Sequence, residues 1–150
     1  MKKIFFLMLI IALSLFFLFI INNYFSKKNS SVSINGTSFK VIVAKTDNQK
    51  EKGLSIYKSL PENEGMIFPF EKADYYSFWM KGMKFSIDII YIKDNKIVQI
   101  FKRVPYPKTS SDKLTVVTPK EKSNYILEIN SGFSDKYKFK EGDKVEINLK

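Results

Sequence analysis

The chain has 150 residues and a formal net charge of +10 at pH 7, and it contains neither histidine nor cysteine. Without histidine there can be no Ser-His nucleophile pair and no histidine general base. The usual zinc sites, which are built on histidine or cysteine, are excluded as well. Disulfides and lipid attachment through a thiol are excluded by the missing cysteine. Any catalysis would therefore use carboxylates, tyrosine or lysine.

The positive charge does not indicate a nucleic-acid-binding protein. Arg103 is the single arginine among 25 basic residues, and arginine is the residue that gives bidentate contacts to phosphate and guanine. The lysines are interleaved with 15 acidic residues and do not form a stripe. We therefore expect a solvated lysine surface and no nucleic-acid partner. Attraction to anionic lipid or an anionic wall polymer is the next interpretation.

An apolar segment follows the short basic start of the chain. Residues 4–21 are 18 uncharged positions, and Ser14 is the only one that is not apolar. At about 1.5 Å rise per residue they would span roughly 27 Å, close to the hydrocarbon thickness of a bilayer. Tyr24 and Phe25 would then lie near the headgroups. The pattern predicts a membrane anchor at residues 1–28, with an uncleaved transmembrane helix at 4–21 that contacts lipid.

A cleaved secretory signal peptide is the main alternative, and a buried helix of a soluble protein is the other. Signal peptides usually have an apolar core of about 7–15 residues that ends at small residues. Here the core is longer and runs into Asn22-Asn23-Tyr24. The basic charges on the two flanks give only a weak positive-inside bias. The three-residue tail before the helix favours a domain on the extracytoplasmic face.

The rest of the chain has the length of one domain, which we expect at residues 38–150 after a short stalk at 29–37. The spacing of Thr46 and Gln49 is that of a capping box, and it predicts a helix over 47–57 with Gly53 as a weak point. A second short helix is predicted within 130–137. Alternating and aromatic runs predict strands, at residues 38–44, 66–68, 75–80, 114–117, 125–129 and 144–149.

The clearest local prediction is a β-hairpin. Residues 85–93 and 96–104 are rich in β-branched and aromatic side chains, and Asp94-Asn95 between them tolerates the positive φ of a two-residue type I′ turn. Together these elements predict an α+β, mainly β fold. We expect a compact barrel-like antiparallel sheet with two short helices, preceded by the transmembrane helix.

Six segments of the domain match, in order, the pattern of a known family. They are Gly53-Leu54, Gly65–Phe68, Phe78–Lys81, Ile87–Ile92, Tyr125–Phe133 and Gly142–Val145. Together they resemble the family called domain of unknown function 192, over roughly residues 38–149. The resemblance implies a compact β-rich domain, commonly found behind a signal or membrane segment in bacteria and archaea. It implies no reaction, because the activity of the family is not established.

The chain departs from this family pattern at four positions. Gly82 and Met83 stand where the family usually has Asn-Thr, and Ser86 stands where it has Pro. Ser55 occupies a position where Met commonly follows Gly-Leu. A polar site that used the Asn-Thr pair would therefore be altered in this chain.

Two carboxylates are candidate site residues because each lies inside an apolar strand. They are Asp88 in segment 87–92 and Glu128 in segment 125–129. A buried ionised carboxylate without partners is very costly, so each must face solvent, pair with a cation or accept backbone hydrogen bonds. A structural role and a ligand-binding or catalytic role both stay open. If the two shared one pocket, they would form an acid–base pair.

The aromatic run at residues 75–80 is a candidate binding surface. By strand alternation Tyr75, Ser77 and Trp79 share one side, and one side of the run must pack in the core. The other side could stack against a sugar or peptide, or it could be covered as well. Lys81 beside Trp79 would supply an anion-binding or hydrogen-bonding group.

Three methionines raise the question of copper(I) binding through thioethers. These are Met66, Met80 and Met83. Methionine is more often a core residue, and there is no histidine or cysteine to complete such a site. We therefore expect no metal and no cofactor.

The leading hypothesis is a membrane-anchored extracytoplasmic domain, not an enzyme, that binds a glycan, peptide or small molecule of the cell envelope. Its expected ligand-binding residues are Trp79, Lys81, Asp88, Glu128 and Asn130. One alternative is a hydrolase of an envelope substrate that uses Asp88 and Glu128 as its catalytic carboxylates. Another is a scaffold that docks to a membrane-protein complex through the aromatic run. The sequence indicates no oligomeric state.

Overall fold

The computed structural model describes residues 8, 10–20, 29–109 and 111–150. The chain divides into two compact units, one of residues 1–29 with Lys150 and one of Ser30–Leu149. In the first unit residues 10–20 are helical. No helix within the described residues is both long enough and apolar enough to cross a membrane. The predicted transmembrane helix at 4–21 includes positions 4–7, 9 and 21, which lie outside the described residues, so the anchor stays a prediction.

The second unit is mainly β. Its strands are β1 (Ser31–Ile34), β2 (Thr37–Val43), β3 (Glu64–Asp74), β4 (Phe78–Trp79), β5 (Ile87–Lys93), β6 (Lys96–Val104), β7 (Val116–Val117), β8 (Ser123–Asn130) and β9 (Val145–Asn148). Its helical elements are α1 (Asp47–Lys52), a 3₁₀ turn (Gly53–Ile56) and α2 (Phe133–Lys136). Seven strands form one sheet in the order β6-β5-β8-β3-β2-β1-β9, and β4 pairs with β7 in a separate ribbon.

The large sheet curls into a half-barrel. Its two edge strands meet at one end. There the backbones of Lys96 and Lys144 form an isolated antiparallel β-bridge, and the Ile97 N–H donates to the Asp143 carbonyl at 3.0 Å. Neighbouring strands are antiparallel except for β2 and β3, which run parallel. The expectation of an antiparallel sheet is therefore wrong at this pair. The reason is that α1 and the 3₁₀ turn cross over between the two strands, as parallel pairing requires.

The first strand lies in the segment predicted to be a stalk. β1 pairs with both β2 and β9, and its side chains Val32 and Ile34 are fully buried. The stalk prediction for residues 29–37 is therefore wrong for β1. Asn35 and Gly36 both adopt positive φ in the turn to β2, and this Asn-Gly pair was the hairpin signal that the polar composition of the segment concealed.

The predicted hairpin and capping box are confirmed. β5 pairs with β6, and Asp94 and Asn95 adopt φ of 49° and 58° in the turn between them. At the start of α1 the Thr46 side chain accepts the N–H of Gln49, and the Gln49 side chain accepts the N–H of Thr46. The helix ends before the predicted position 57, because Gly53 adopts φ 49°, ψ −140° and the chain continues as a 3₁₀ turn.

Two hydrophobic clusters form the core, and alternate residues of the central strands contribute to each. Ile126 of β8 belongs to the first cluster, whereas Leu127 and Ile129 belong to the second. The three methionines considered as copper ligands are all buried in the first cluster. This position is the one expected for methionine that fills a core.

Gly65 is required where β3 packs against β8. A Cβ atom at this position would stand 2.8 Å from the carbonyl oxygen of Glu128. We expect Gly65→Ala to lower the free energy of unfolding by about 1–3 kcal/mol, because the added methyl group forces the strands apart. Urea unfolding followed by tryptophan fluorescence measures the loss. Lys72→Ala, on the exposed end of the same strand, is the control, and an equal loss in both variants would contradict the explanation.

Candidate functional site

Asp88 holds the start of α2 against the sheet. The residue is fully buried on β5. Its carboxylate accepts the backbone N–H groups of Arg103 at 2.7 Å, Gly132 at 2.9 Å and Ser134 at 2.8 Å. Hydrogen bonds of this kind, to an ionised acceptor, are among the strong ones in proteins. Of the two roles left open by the sequence, the structure supports the structural one for Asp88.

Asn130 also supports a loop. Its side-chain amide donates to the carbonyls of Leu60 and Pro61, both at 3.0 Å. These contacts fix the segment that leads into β3. The predicted binding role of Asn130 therefore receives no support from its position.

Asp88 and Glu128 lie on opposite faces of the sheet. In the β5–β8 register Asp88 is opposite Ile129, whereas Glu128 is opposite Ile89. Paired residues share a face and successive residues alternate between faces. The two carboxylates therefore do not share a pocket, so the condition for an acid–base pair is not met and the hydrolase hypothesis loses its two catalytic groups.

Glu128 is the second buried carboxyl, and its surroundings differ from those of Asp88. Its side chain is on the central strand β8, the residue is 5% exposed, and its Oε2 atom has no hydrogen-bond partner among the described residues. We call this atom the open oxygen. Burial raises the pKa of Glu128 to about 8, although a backbone hydrogen bond from Leu54 opposes the rise. At pH 7 most molecules therefore carry a neutral Glu128, which can donate one hydrogen bond and accept others.

Glu128 lies at the base of an open pocket of about 380 Å³. One wall comes from α1 and the 3₁₀ turn, and it contains Lys50, Glu51, Lys52, Gly53 and Leu54. The other wall is rich in aromatic side chains, and its residues are Phe70, Tyr75, Tyr76, Ser77, Phe78, Trp79, Lys81 and Met83. Apolar walls with a few polar groups are typical of small-molecule sites.

Gly53 brings the first wall close to the carboxyl. Its backbone lies at a positive φ that L side chains rarely adopt. A Cβ atom here would stand 3.7 Å from the open oxygen and 3.5 Å from the Phe68 ring. A glycine at this position therefore allows the sharp turn and lets the chain pass close to the Glu128 carboxyl, whose open oxygen is buried.

Two lysine ammonium groups, one from each wall, lie over aromatic rings of the second wall. Trp79 is 46% exposed and Tyr75 is 52% exposed. The Lys81 Nζ lies 5.6 Å from the centre of the Trp79 ring, and the Lys50 Nζ lies 4.4 Å from the centre of the Phe70 ring. These are cation–π distances. The pocket thus offers apolar faces and positive charge side by side.

The structure brings together three of the predicted site residues and separates two. Trp79, Lys81 and Glu128 line the pocket, whereas Asp88 and Asn130 support loops. The sequence reasoning missed Lys50 and Phe70, among others. The segment Gly53-Leu54 was part of the family resemblance, and it was the one signal that could have pointed to the first wall. Met83 lies in the pocket at a position where the family pattern usually has Thr.

Comparison with known proteins identifies a family. The model of the family DUF192, domain of unknown function 192, described as "Uncharacterized ACR", matches residues 30–147. No curated protein matches the chain.

Two crystal structures are similar to this chain. A protein of unknown function from Novosphingobium aromaticivorans DSM 12444 is 32% identical with a TM-score of 0.69, and the match covers 77% of this chain and 83% of that one. A putative transcription regulator from Sinorhizobium meliloti 1021 is 23% identical with a TM-score of 0.68, and the match covers 79% of this chain and 92% of that one. The second likeness shows the fold alone. Neither description supplies an activity for the pocket.

The stability of the protein should depend on the protonation of Glu128. Its pKa is about 8 in the folded protein, whereas the ordinary pKa of a glutamate side chain is 4.5. The protonated Glu128 side chain therefore contributes fully to the stability of the folded protein below about pH 4.5. This contribution is lost as the pH rises to about 8. We expect the free energy of unfolding of Glu128→Gln, relative to that of the natural chain, to rise by roughly 1 kcal/mol per pH unit within this window. Urea unfolding at a series of pH values measures the difference.

The matched control for this series is Glu141→Gln, at an exposed position. The control should keep the pH profile of the natural chain. If the free energy of unfolding depended on pH in the same way in Glu128→Gln and Glu141→Gln, Glu128 would titrate like an exposed carboxyl.

Loss of the Asp88 charge should weaken the attachment of α2. We expect Asp88→Asn to cost about 3 kcal/mol of unfolding free energy, because three charge-assisted hydrogen bonds weaken and the new amide group faces backbone donors. Urea unfolding measures this cost. Asp135→Asn on α2, where the carboxylate is exposed and pairs with Lys102 and Arg103, should unfold at nearly the urea concentration of the natural chain. A small effect of Asp88→Asn would refute the structural role.

Proposed function

The chain belongs to the DUF192 family, and we propose that its β-rich unit is a ligand-binding module of the cell envelope and not an enzyme. The observation that carries this proposal is the open oxygen of Glu128, which is buried without a partner among the described residues, in a residue that lines the pocket. A buried polar atom without a partner costs about 1–3 kcal/mol. A ligand that makes a hydrogen bond to this oxygen would recover that cost on binding.

The walls support a ligand with an apolar face and a negative group. Exposed Trp79 and Tyr75 offer flat surfaces for such a face, and aromatic side chains contribute much contact area in binding sites. The three lysines of the walls, at positions 50, 52 and 81, favour an anionic substituent. This combination supports binding more directly than it supports catalysis.

The proposed location rests on the apolar segment at residues 4–21. If this segment anchors the chain in the membrane with its short tail inside, the module lies on the extracytoplasmic face. Glycans, peptides and small molecules of the envelope are then the ligands within reach. Anionic lipid or wall polymer near the module would also attract its net positive charge.

Docking to a membrane-protein complex is a second candidate function. It is favoured by the β4–β7 ribbon, where Trp79 lies opposite Val116 and the two are 46% and 53% exposed. Val116→Asp distinguishes the candidates, because Val116 is not a pocket-lining residue. The substitution should disrupt docking and leave ligand binding in the pocket unchanged.

The proposed function is tested by a ligand screen on the full-length chain in detergent. Envelope glycans, peptides and metal ions are added, and the melting temperature and the fluorescence of Trp79, the single tryptophan, are followed. We expect one or more glycans or peptides to raise the melting temperature and to change the fluorescence of Trp79. A ligand at about 100 times its Kd stabilises the folded state by about 2.7 kcal/mol.

The control for this screen is a pair of leucine substitutions. Glu128→Leu should abolish both responses, because it removes the hydrogen-bonding group at the base of the pocket. Glu141→Leu, at an exposed position, should keep both. The absence of any response across the whole panel would overturn the binding function.

A further inference from the structure

We propose that the ligand of this pocket is an acidic saccharide, which is a sugar ring that carries a carboxylate or a phosphate group. In this arrangement the ring packs on the aromatic wall, one hydroxyl group meets Glu128, and the anionic group meets the lysines. The inference rests on the proposed binding function and narrows it to one chemical class.

The base of the pocket selects for a hydroxyl group. A neutral carboxyl donates one hydrogen bond and accepts others, and a sugar hydroxyl does the same. The pair therefore satisfies both groups without a buried charge. A ligand ammonium would ionise Glu128, but it would also enter beside Lys50, Lys52 and Lys81. The repulsion from these lysines disfavours a cationic ligand.

The walls match the other two parts of such a ligand. A sugar ring has a face of C–H groups that packs on an aromatic ring, and Trp79 and Tyr75 are both exposed. Lys81 lies over Trp79, so a ring seated there brings its anionic substituent close to an ammonium group. Lys50 lies over Phe70, whose ring is stacked on Tyr76, so this pair adds an ammonium group to the pocket and no second seat for a sugar ring. An uncharged sugar would leave these ammonium groups without a partner in the ligand.

A peptide fits the pocket less well. Each peptide unit needs partners for its N–H and C=O groups, and the pocket walls are largely apolar. The volume of about 380 Å³ lies in the range of small-molecule sites, about 300–1,000 Å³.

A nucleotide is the competing class, because it also combines a flat ring with an anionic group. Direct titration separates the two. The full-length chain in detergent is titrated with glucuronate, glucose 6-phosphate, glucose, inorganic phosphate and UMP, and the fluorescence of Trp79 reports binding. We expect saturable binding of glucuronate and glucose 6-phosphate, about tenfold tighter than that of glucose or inorganic phosphate.

The outcomes of this titration are distinct. UMP binding as tight as that of the acidic sugars would overturn the saccharide class in favour of nucleotides. If neither acidic sugar binds while another member of the envelope panel does, the saccharide inference fails and the binding function survives. If nothing in either set binds, both fail.

Two lysine variants test the anion contact. Lys81→Gln should weaken the binding of glucuronate about tenfold and change glucose binding little, because only the charged substituent loses its partner. Lys84→Gln is the matched control, since Lys84 is exposed and is not a pocket-lining residue. Equal effects of the two substitutions on glucuronate binding would overturn the assignment of the anion to Lys81.

The role of Glu128 is tested by the pH dependence of binding. Between pH 6.5 and 9 we expect glucuronate binding to the natural chain to weaken about tenfold, because ionised Glu128 loses its donor and repels the anion. Glu128→Gln should bind with little pH dependence over this range. Several other ionisable groups face Glu128 or line its pocket, namely Lys50, Glu51, Lys52, Tyr75, Tyr76, Lys81 and Tyr91. The Gln variant retains all of them, so an unchanged pH dependence in that variant would overturn the role of Glu128.

Discussion

The pairing of β5 with β8 at the centre of the sheet controls where the two buried carboxyls point. Because Asp88 lies opposite Ile129 and Glu128 opposite Ile89, the groups are on opposite faces. Asp88 meets three backbone donors there and holds α2 in place. Glu128 is among the residues that line an open pocket, and one of its oxygens is buried without a hydrogen-bond partner among the described residues. The same chemical group thus serves the fold on one face and lines the proposed binding pocket on the other.

The elements that the sequence predicted correctly are those with local causes. Asp94-Asn95 forms its turn because both residues accept positive φ, and Thr46 with Gln49 starts α1 through contacts within one turn. β1 was not predicted, since a four-residue strand among serines has little signal. The parallel pairing of β2 and β3 depends on packing between distant segments, and no short motif encodes it.

The site was predicted only in part, for a related reason. Trp79 and Lys81 are two residues apart in the chain, so their proximity follows from local sequence. Glu128 and Lys50 meet in one pocket only after the sheet and α1 have packed. The residues of β5 are buried on both faces, and a strand of this kind has no polar alternation that reveals which way each side chain points. The face of Asp88 therefore could not be assigned without the register.

Direct measurement of the titration of Glu128 is the sharpest test of its proposed role as a neutral hydrogen-bonding group. The carboxyl carbon of Glu128 can be followed by NMR in the full-length chain with ¹³C-labelled glutamate, and the signal is assigned by its loss in Glu128→Gln. We expect a midpoint near pH 8, because burial of the group raises its pKa. A midpoint near the ordinary value of 4.5 would show a solvated carboxylate and would contradict the neutral hydrogen-bonding group on which the proposed site depends.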